Sequence, residues 1–407
     1  MKKISLLVLF ISLFGCKQEY KHVNKINEDV TFLADDKLEG RETGTKGEKE
    51  AAAYLVKRFK DIGLQPKGTD GFYQTFSFKP KTEPHGEVNY TNTSEDSTIT
   101  GTNVLGYIDN QAENTIIIGA HYDHLGYGSE GSLHRGKKEI HNGADDNASG
   151  VAVMLDLAGK LKKVNTSNNY LFMAFSGEEM GLLGSNYFTK NATLDISKTN
   201  YMINMDMVGR LKQDSTLAVY GVGTSPRWKQ TLSATNPGFK LVEKESGVGP
   251  SDHTSFYLQD IPVLHFFTGQ HDDYHRPGDD TEKLNYEGME AISNYLFDII
   301  TELDKSGKLA FRKTKNESEE TPRFKVGLGV VPDYLFDGKG MRVDGVSEDK
   351  PAQKAGLQKG DIVVKLGDSA VVDMMSYMRA LSAFKQGDST QVVVKRKGED
   401  IQANIQF

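Results

Sequence analysis

The chain has 407 residues, enough for two domains. Its hydrophobic content of 37% is ordinary for a soluble globular protein. Lys and Arg total 49 against 56 Asp and Glu, a formal charge of −7, so the basic balance of a nucleic-acid-binding protein is missing.

At the N-terminus, Lys2 and Lys3 precede an apolar run from Ile4 to Phe14. That run is too short to cross a bilayer as a stable helix. It ends in Leu13-Phe14-Gly15-Cys16, which resembles the lipobox of bacterial lipoproteins. The resemblance implies a signal peptide of residues 1–15, cleavage before Cys16 and acylation of its thiol. The protein would then be exported and lipid-anchored to a bacterial membrane, facing the periplasm or the cell exterior. The alternative is an ordinary signal peptide with an incidental cysteine, but Cys16 is the only cysteine and sits where cleavage would put it. With no disulfides, stability must come from the core and from bound metal. Residues 16–29 are polar and read as a tether.

Folding signals begin near Val30. Leu38-Glu39-Gly40-Arg41 and Gly44 read as a loop. Apolar residues at helical spacing follow over 47–62 (Ala51, Ala52, Tyr54, Leu55, Phe59), stopped by Gly63. Residues 81–101 are polar and predict a loop or hairpin. NTIIIGA, residues 114–120, is a β-branched run suited to a strand buried on both faces. The spacing predicts a helix over 151–161, strands over 170–175 (YLFMAF), 201–206 (YMINMD) and 261–267 (IPVLHFF), and a closing helix over 287–303. Alternating strands and helices imply an α/β fold over residues 30–304, a three-layer sandwich with a mostly parallel, mixed central sheet. Residues 305–322 are rich in Lys, Glu and Ser and read as a linker, and a second apolar pattern fills 323–407.

One constellation carries the chemistry. It comprises His121 in AHYDH, Asp145 in NGADDNASG, Glu178 and Glu179 in SGEE, Asp206 in NMD, and His275 in DYHRPGDD. Two imidazoles and three carboxylates suit a pair of Zn²⁺ ions, and one of the adjacent glutamates is left to act as a base. Two ions about 3.5–4 Å apart need a bridging carboxylate. Asp145, in a glycine-rich loop leading into a helix, is the expected bridge. Asp123 shares a face with His121 in an extended stretch and could orient its imidazole. His121, the glutamate pair and Asp206 each follow a predicted strand, so the ligands would converge at the carboxyl ends of neighbouring strands. His124, His141, His253 and His271 read as structural or supporting groups. His265 reads as a core residue, and His22, His85 and His134 as surface residues.

These motifs, with LEGRETGTKGEKEAAAYL, SDHTSF and GQHDDYHRPGDDTEKLNY, resemble in wording and order the signatures of the M28 family of zinc peptidases over residues 30–300. The resemblance implies that Asp145 bridges two zinc ions, with His121 and Asp206 completing one and Glu179 and His275 the other. It makes Glu178 the general base, places a cis peptide between Asp145 and Asp146, and gives Tyr274 a hydrogen bond to the developing oxyanion. The implied activity is removal of N-terminal residues from peptide or protein substrates.

In the C-terminal region, DGVSEDKPAQKAGLQKGDIVVKLG resembles the most recognisable segment of bacterial PDZ domains. The resemblance implies a small β-rich domain in which Gly327, Leu328, Gly329 and Val330 receive a peptide C-terminus, with residues 374–384 as a flanking helix. Pro332 could shorten the ligand-pairing strand, since proline removes a donor. A rigid accessory domain without a partner is the plainer expectation. Rival readings of the whole chain are a glutaminyl-cyclase-like enzyme with one zinc, an M20-like enzyme, and an inactive adaptor built around the PDZ-like module.

Overall fold

The computed structural model describes residues 16–80, 89–91, 98–128, 131–134, 136–164, 166–314, 326–333, 336, 338–347 and 349–407. The expected signal peptide, His85 and residues 315–322 of the expected linker lie outside them.

The larger domain is built on one ten-stranded sheet. Its strands are β1 (Gln65–Pro66), β2 (Tyr73–Lys79), β3 (Asn89–Tyr90), β4 (Ile99–Ile108), β5 (Thr115–His121), β6 (Asn169–Phe175), β7 (Thr199–Met205), β8 (Thr216–Tyr220), β9 (Lys240–Lys244) and β10 (Val263–Phe267). The order is β3-β2-β4-β6-β5-β7-β10-β8-β9, with β1 on β4. The centre, β6-β5-β7-β10, is parallel, and β2-β4-β6 and β10-β8 add antiparallel pairs. The predicted mixed sheet is therefore present.

Helices cover both faces, and residue alternation along the strands divides the core. Ile116, Ile118, Phe172, Ala174, Ile203 and Met205 pack with α2 (Lys46–Ile62), α3 (Gly150–Leu161), α5 (Trp228–Thr235) and α7 (Tyr286–Leu303). Ile117, Leu171, Met173, Phe175 and Met202 face the other way, onto Phe188 of α4 (Leu183–Lys190) and Phe256 and Tyr257 of α6 (His253–Tyr257). Such a strand reads as a continuous apolar run because both of its faces are dry.

Residues 16–29, expected as a tether, belong instead to a helix, α1 (Cys16–Leu33). Ile26, Val30 and Leu33 fall three or four residues apart, so they form a stripe that packs into the core. Asp29 beside that stripe is fully buried and paired with Arg58 at 2.5 Å and with the Tyr54 hydroxyl. His22, expected at the surface, lies 2.6 Å from Asp156 of α3. Asn24, Lys25, Asn27 and Glu28 around that stripe are exposed, and such polar neighbours hide a short apolar stripe. The linker is also shorter than expected: Leu309 is buried, Phe311 packs on the lower core, and Thr314 bonds to Tyr257 and Gly247.

The C-terminal domain holds the strands β11 (Val330–Pro332), β12 (Met341–Val346), β13 (Ile362–Leu366), β14 (Ser369–Ala370), β15 (Ser389–Arg396) and β16 (Glu399–Gln406). It also holds the helices α8 (Pro351–Lys354) and α9 (Met374–Ser382), and its core gathers Leu328, Val343, Val363, Leu366, Val392 and Val394. β11 lasts three residues and its register breaks between Val331 and Pro332, in line with the missing proline donor.

If α1 is part of the core, Val30→Asp should destabilise the larger domain by about 3 kcal/mol or more, because it buries an unpaired charge. Glu28→Ala, on the exposed side, should change little. Urea denaturation followed by the near-ultraviolet signal of Trp228 measures both, and equal midpoints for the two variants would contradict the packing.

Candidate metal centre and active site

Four chain reversals at the carboxyl ends of parallel strands deliver the site. β5 ends at His121, β6 leads through Gly177 (φ 72°) into Glu178 and Glu179, and β7 leads into Asp206. The fourth contribution, a turn over Ala144–Ser149, contains a cis peptide between Asp146 and Asn147. Here the structure corrects the sequence expectation, which put that bond one residue earlier.

The expected bridge shifts with it. Asp146, not Asp145, stands between the two histidines. Its Oδ1 lies 3.3 Å from His121 Nε2 and its Oδ2 lies 3.3 Å from His275 Nε2. His121 Nε2 is also 3.3 Å from Asp206 Oδ1, and His275 Nε2 is 3.2 Å from Glu179 Oε2. Two three-sided cradles therefore share one carboxylate, and the other four expected ligands, His121, Glu179, Asp206 and His275, all take part.

Asp145 points away. Its Oδ1 accepts from Gly209 N–H at 2.6 Å and its Oδ2 sits 3.2 Å from His271 Nε2. Neighbouring side chains in this turn project to opposite sides, so only one of the two aspartates can enter the centre. The turn is fastened by side chains the sequence did not single out. Asn147 accepts from Gly150 and Met207 N–H and donates to Met205 C=O, tying it to β7. Asp279 accepts from the backbone N–H of both Asp145 and Asp146, and Arg210 bridges Asp279 and Asp273.

The remaining expected residues fall near the centre with altered duties. His121 Nδ1 is met by the backbone carbonyl of Asp123 at 3.2 Å, while the Asp123 carboxylate is 3.7 Å away. That carboxylate accepts from Thr43 Oγ1 and from Glu178 N–H, so it fixes the glutamate loop more than the imidazole. Tyr274 stacks on His275, with ring centroids 3.9 Å apart, and borders the cavity. His124 supports Glu179 through a 2.7 Å contact to its second oxygen. His124, Asp146 and Glu179 also lie close enough to hold an ion. His275 Nε2 faces the same two carboxylates, Asp146 at 3.3 Å and Glu179 at 3.2 Å. His253 and His265 stack face to face at 4.5 Å in the interior, and His141 bonds to Ser132.

The electrostatics fit cations. Asp146 is buried, and half-buried Glu178, Glu179 and Asp206 cluster around it. Burial, then the carboxylates of Asp206 and Glu179, push Glu178 well above the ordinary carboxyl range. Burial pulls His121 and His275 down, but the adjoining carboxylates outweigh it and hold both well above 6.5. This surplus of negative charge suits a bound cation. The cavity holds about 80 Å³, and Met207, Tyr220, Pro250 and Phe267 form its apolar wall.

In the C-terminal domain, Leu328 is fully buried and its carbonyl accepts from Ala352. Gly329 takes a φ of 74° and its carbonyl accepts from Ser347. Gly327 borders a surface cleft with Lys350, Pro351 and Lys354, and Val330 opens β11.

Residues 103–300 match peptidase family M28 and residues 309–407 match the PDZ domain. The aminopeptidase YwaD of Bacillus subtilis (strain 168) is 30% identical over 177 residues, 41% of this chain and 39% of that protein. The chain spans about two fifths of the length of the first curated relatives it matches. Among solved structures, an aminopeptidase from Aneurinibacillus sp. strain AM-1 aligns with a TM-score of 0.53 at 19% identity, over 73% of this chain and 96% of that one. A glutaminyl cyclase of Porphyromonas gingivalis aligns with a TM-score of 0.55 at 19% identity, over 70% of this chain and 98% of that one. At these identities the structural likeness speaks for the fold.

The geometry separates two neighbouring aspartates. Asp146→Ala should bring bound zinc below one equivalent per chain after dialysis, since both cradles lose a side. Asp145→Asn should retain the metal of the unmodified protein. Elemental analysis checks this, and metal loss in the second variant with retention in the first would reverse the assignment.

Proposed function

With an M28 peptidase domain followed by a PDZ domain as the premise, we propose that the protein is a two-zinc metallopeptidase that removes N-terminal residues from peptides. The observation that carries this reading is the pair of cradles sharing Asp146. His121, Asp146 and Asp206 would hold one ion, and His275, Asp146 and Glu179 the other. When bound, the ions supply an acidified water and positive charge for the carbonyl oxygen.

The chain's own groups do the rest. Glu178 takes the proton of the attacking water and returns it to the leaving amine. Its raised affinity for protons suits a group that must hold one between two steps. Asp123, itself fixed by Thr43, anchors the Glu178 backbone and so aims the base. Tyr274 stands at the cavity edge, where its hydroxyl can donate to a developing oxyanion. The carboxylates favour a substrate ammonium, and the wall of Met207, Tyr220, Pro250 and Phe267 favours an apolar first side chain. The aminopeptidase names of the relatives support the same polarity of attack. A single-zinc, cyclase-type centre would leave one of the two cradles without a role. An inactive adaptor is disfavoured because the base and both cradles are intact.

We further propose that Cys16 carries a lipid anchor. α1 starts at Cys16 and enters the core at Ile26, ten residues on. His22, six residues on from Cys16, already meets Asp156 of α3, so at 1.5 Å per residue the body would stand about 9 Å from the anchored end.

Glu178→Gln should keep about two zinc per chain and lower kcat by a factor on the order of 10²–10⁴. The substrates are free-amine aminoacyl and N-blocked peptides, with and without a chelator. Equal cleavage of blocked and free substrates would defeat the aminopeptidase reading, and near-normal turnover by the variant would remove Glu178 from its role. Cys16→Ser should shift the expressed protein from the membrane to the soluble fraction and abolish incorporation of labelled fatty acid. An unchanged distribution would rule out the anchor.

A further inference from the structure

The metal cavity has one lining residue in common with a second space. Tyr274 borders both it and a cavity of about 320 Å³ whose opposite wall belongs to the C-terminal domain. Leu133 and Arg276 stand on the Tyr274 side, and Val331, Gly345 and Val346 face them. The two walls are joined by an ion pair: Lys359 reaches the Asp272 carboxylate, on the loop that leads to His275. Lys359 also lies 3.4 Å from Asp344 of its own domain.

Both walls have features that bind peptide. β11, which carries Val331, is the end strand of its sheet and pairs only with β12 among the described residues. An edge strand offers main-chain donors and acceptors to an extended chain whatever its side chains. Arg276 lines the cavity and has no ion-pair partner among the described residues. A cation left unpaired beside a peptide-sized space complements an acidic side chain or a terminal carboxylate.

We propose that the cleft between the 271–276 loop and the β11–β12 edge holds the downstream residues of the substrate, so that the PDZ domain forms part of the peptidase's own substrate channel and selects extended peptides with an acidic group beyond the cleaved bond. This rests on the peptidase reading above. The occupant is the substrate itself, because Tyr274 borders the cleft and the catalytic cavity alike and Asp272 lies on the loop that leads to His275.

The experiment compares an acidic octapeptide with a tripeptide sharing its first residues, in the full chain with zinc bound. Two substitutions perturb the cleft from the PDZ side. Lys359→Glu sets a carboxylate against Asp272 and Asp344. Gly345→Trp fills the space, and a Cβ there meets only Val331, at an ordinary 3.4 Å. In the unmodified protein kcat/KM should favour the octapeptide, and in both variants that preference should fall about tenfold, through KM and not kcat. Binding of a labelled octapeptide to Glu178→Gln, followed by anisotropy, should weaken by a similar factor when either change is added. A length preference and an affinity that match the unmodified protein in both variants would overturn the proposal. Absence of hydrolysis of every substrate by the unmodified protein would defeat the peptidase reading instead, and the binding measurement would still decide the cleft.

Discussion

One carboxylate holds the architecture of the centre together. Asp146 presents one oxygen to His121 and the other to His275, each at 3.3 Å, and it is almost fully buried. A buried carboxylate is stable only when opposite charge and hydrogen bonds replace its lost water. Those two imidazoles hold Asp146 well below the ordinary carboxylate range although burial pushes it up. Asp206 and Glu179 add two more negative groups on either side. The arrangement suits a cation site, and the surrounding structure keeps its acidic groups from drifting apart.

The support runs outward in recognisable steps. Asp279 receives the backbone N–H groups on both sides of the turn, and Arg210 neutralises Asp279 while gripping Asp273. Arg41, from the LEGRETGT segment, is buried and donates to the carbonyls of Leu33, Tyr122, Asn142 and Gly143. Burial lowers its affinity for its proton to a pKa of about 10, opposed by Asp123, Asp146 and Asp279. One guanidinium thus binds the end of α1 to the His121 loop and the Asp146 turn, and brings a fixed positive charge behind a negative site. The helix that looked like a tether is, through Leu33 and Arg41, one strut of the centre.

How much of this could be read from the sequence follows from the range of each interaction. The strands 115–121, 169–175 and 199–205 were legible because double-sided burial leaves unbroken apolar runs, and residues placed at their ends had to converge. The identity of the bridge was not. Asp145 and Asp146 are chemically identical neighbours, and what separates them is the path of a turn set by Asn147, Ser149 and Asp279, of which Asp279 is over 130 residues away. Asp123 shows the same limit in milder form: its spacing from His121 was read correctly, but its carboxylate went to Thr43 and Glu178. α1 is hard to read because, among its described side chains, only Ile26, Val30 and Leu33 join the buried core, too weak a pattern until the surface they cover is known.

The two domains relate to the chemistry in different ways. The larger one fixes six groups by strand ends and buried hydrogen bonds, a rigid solution that leaves a cavity of about 80 Å³. Under the peptidase reading proposed above, such a site would choose the first residue but has little surface with which to judge the rest of a peptide. The C-terminal domain has an edge strand, β11, that pairs only with β12 among the described residues, and it meets the larger domain beside Tyr274 and the loop to His275. Catalytic groups need fixed positions, whereas recognition of a variable chain needs backbone partners that tolerate many side chains. Dividing these demands between a packed α/β sandwich and a small β domain lets each be met without disturbing the other, and Lys359 on Asp272 is the contact through which the second can act on the first.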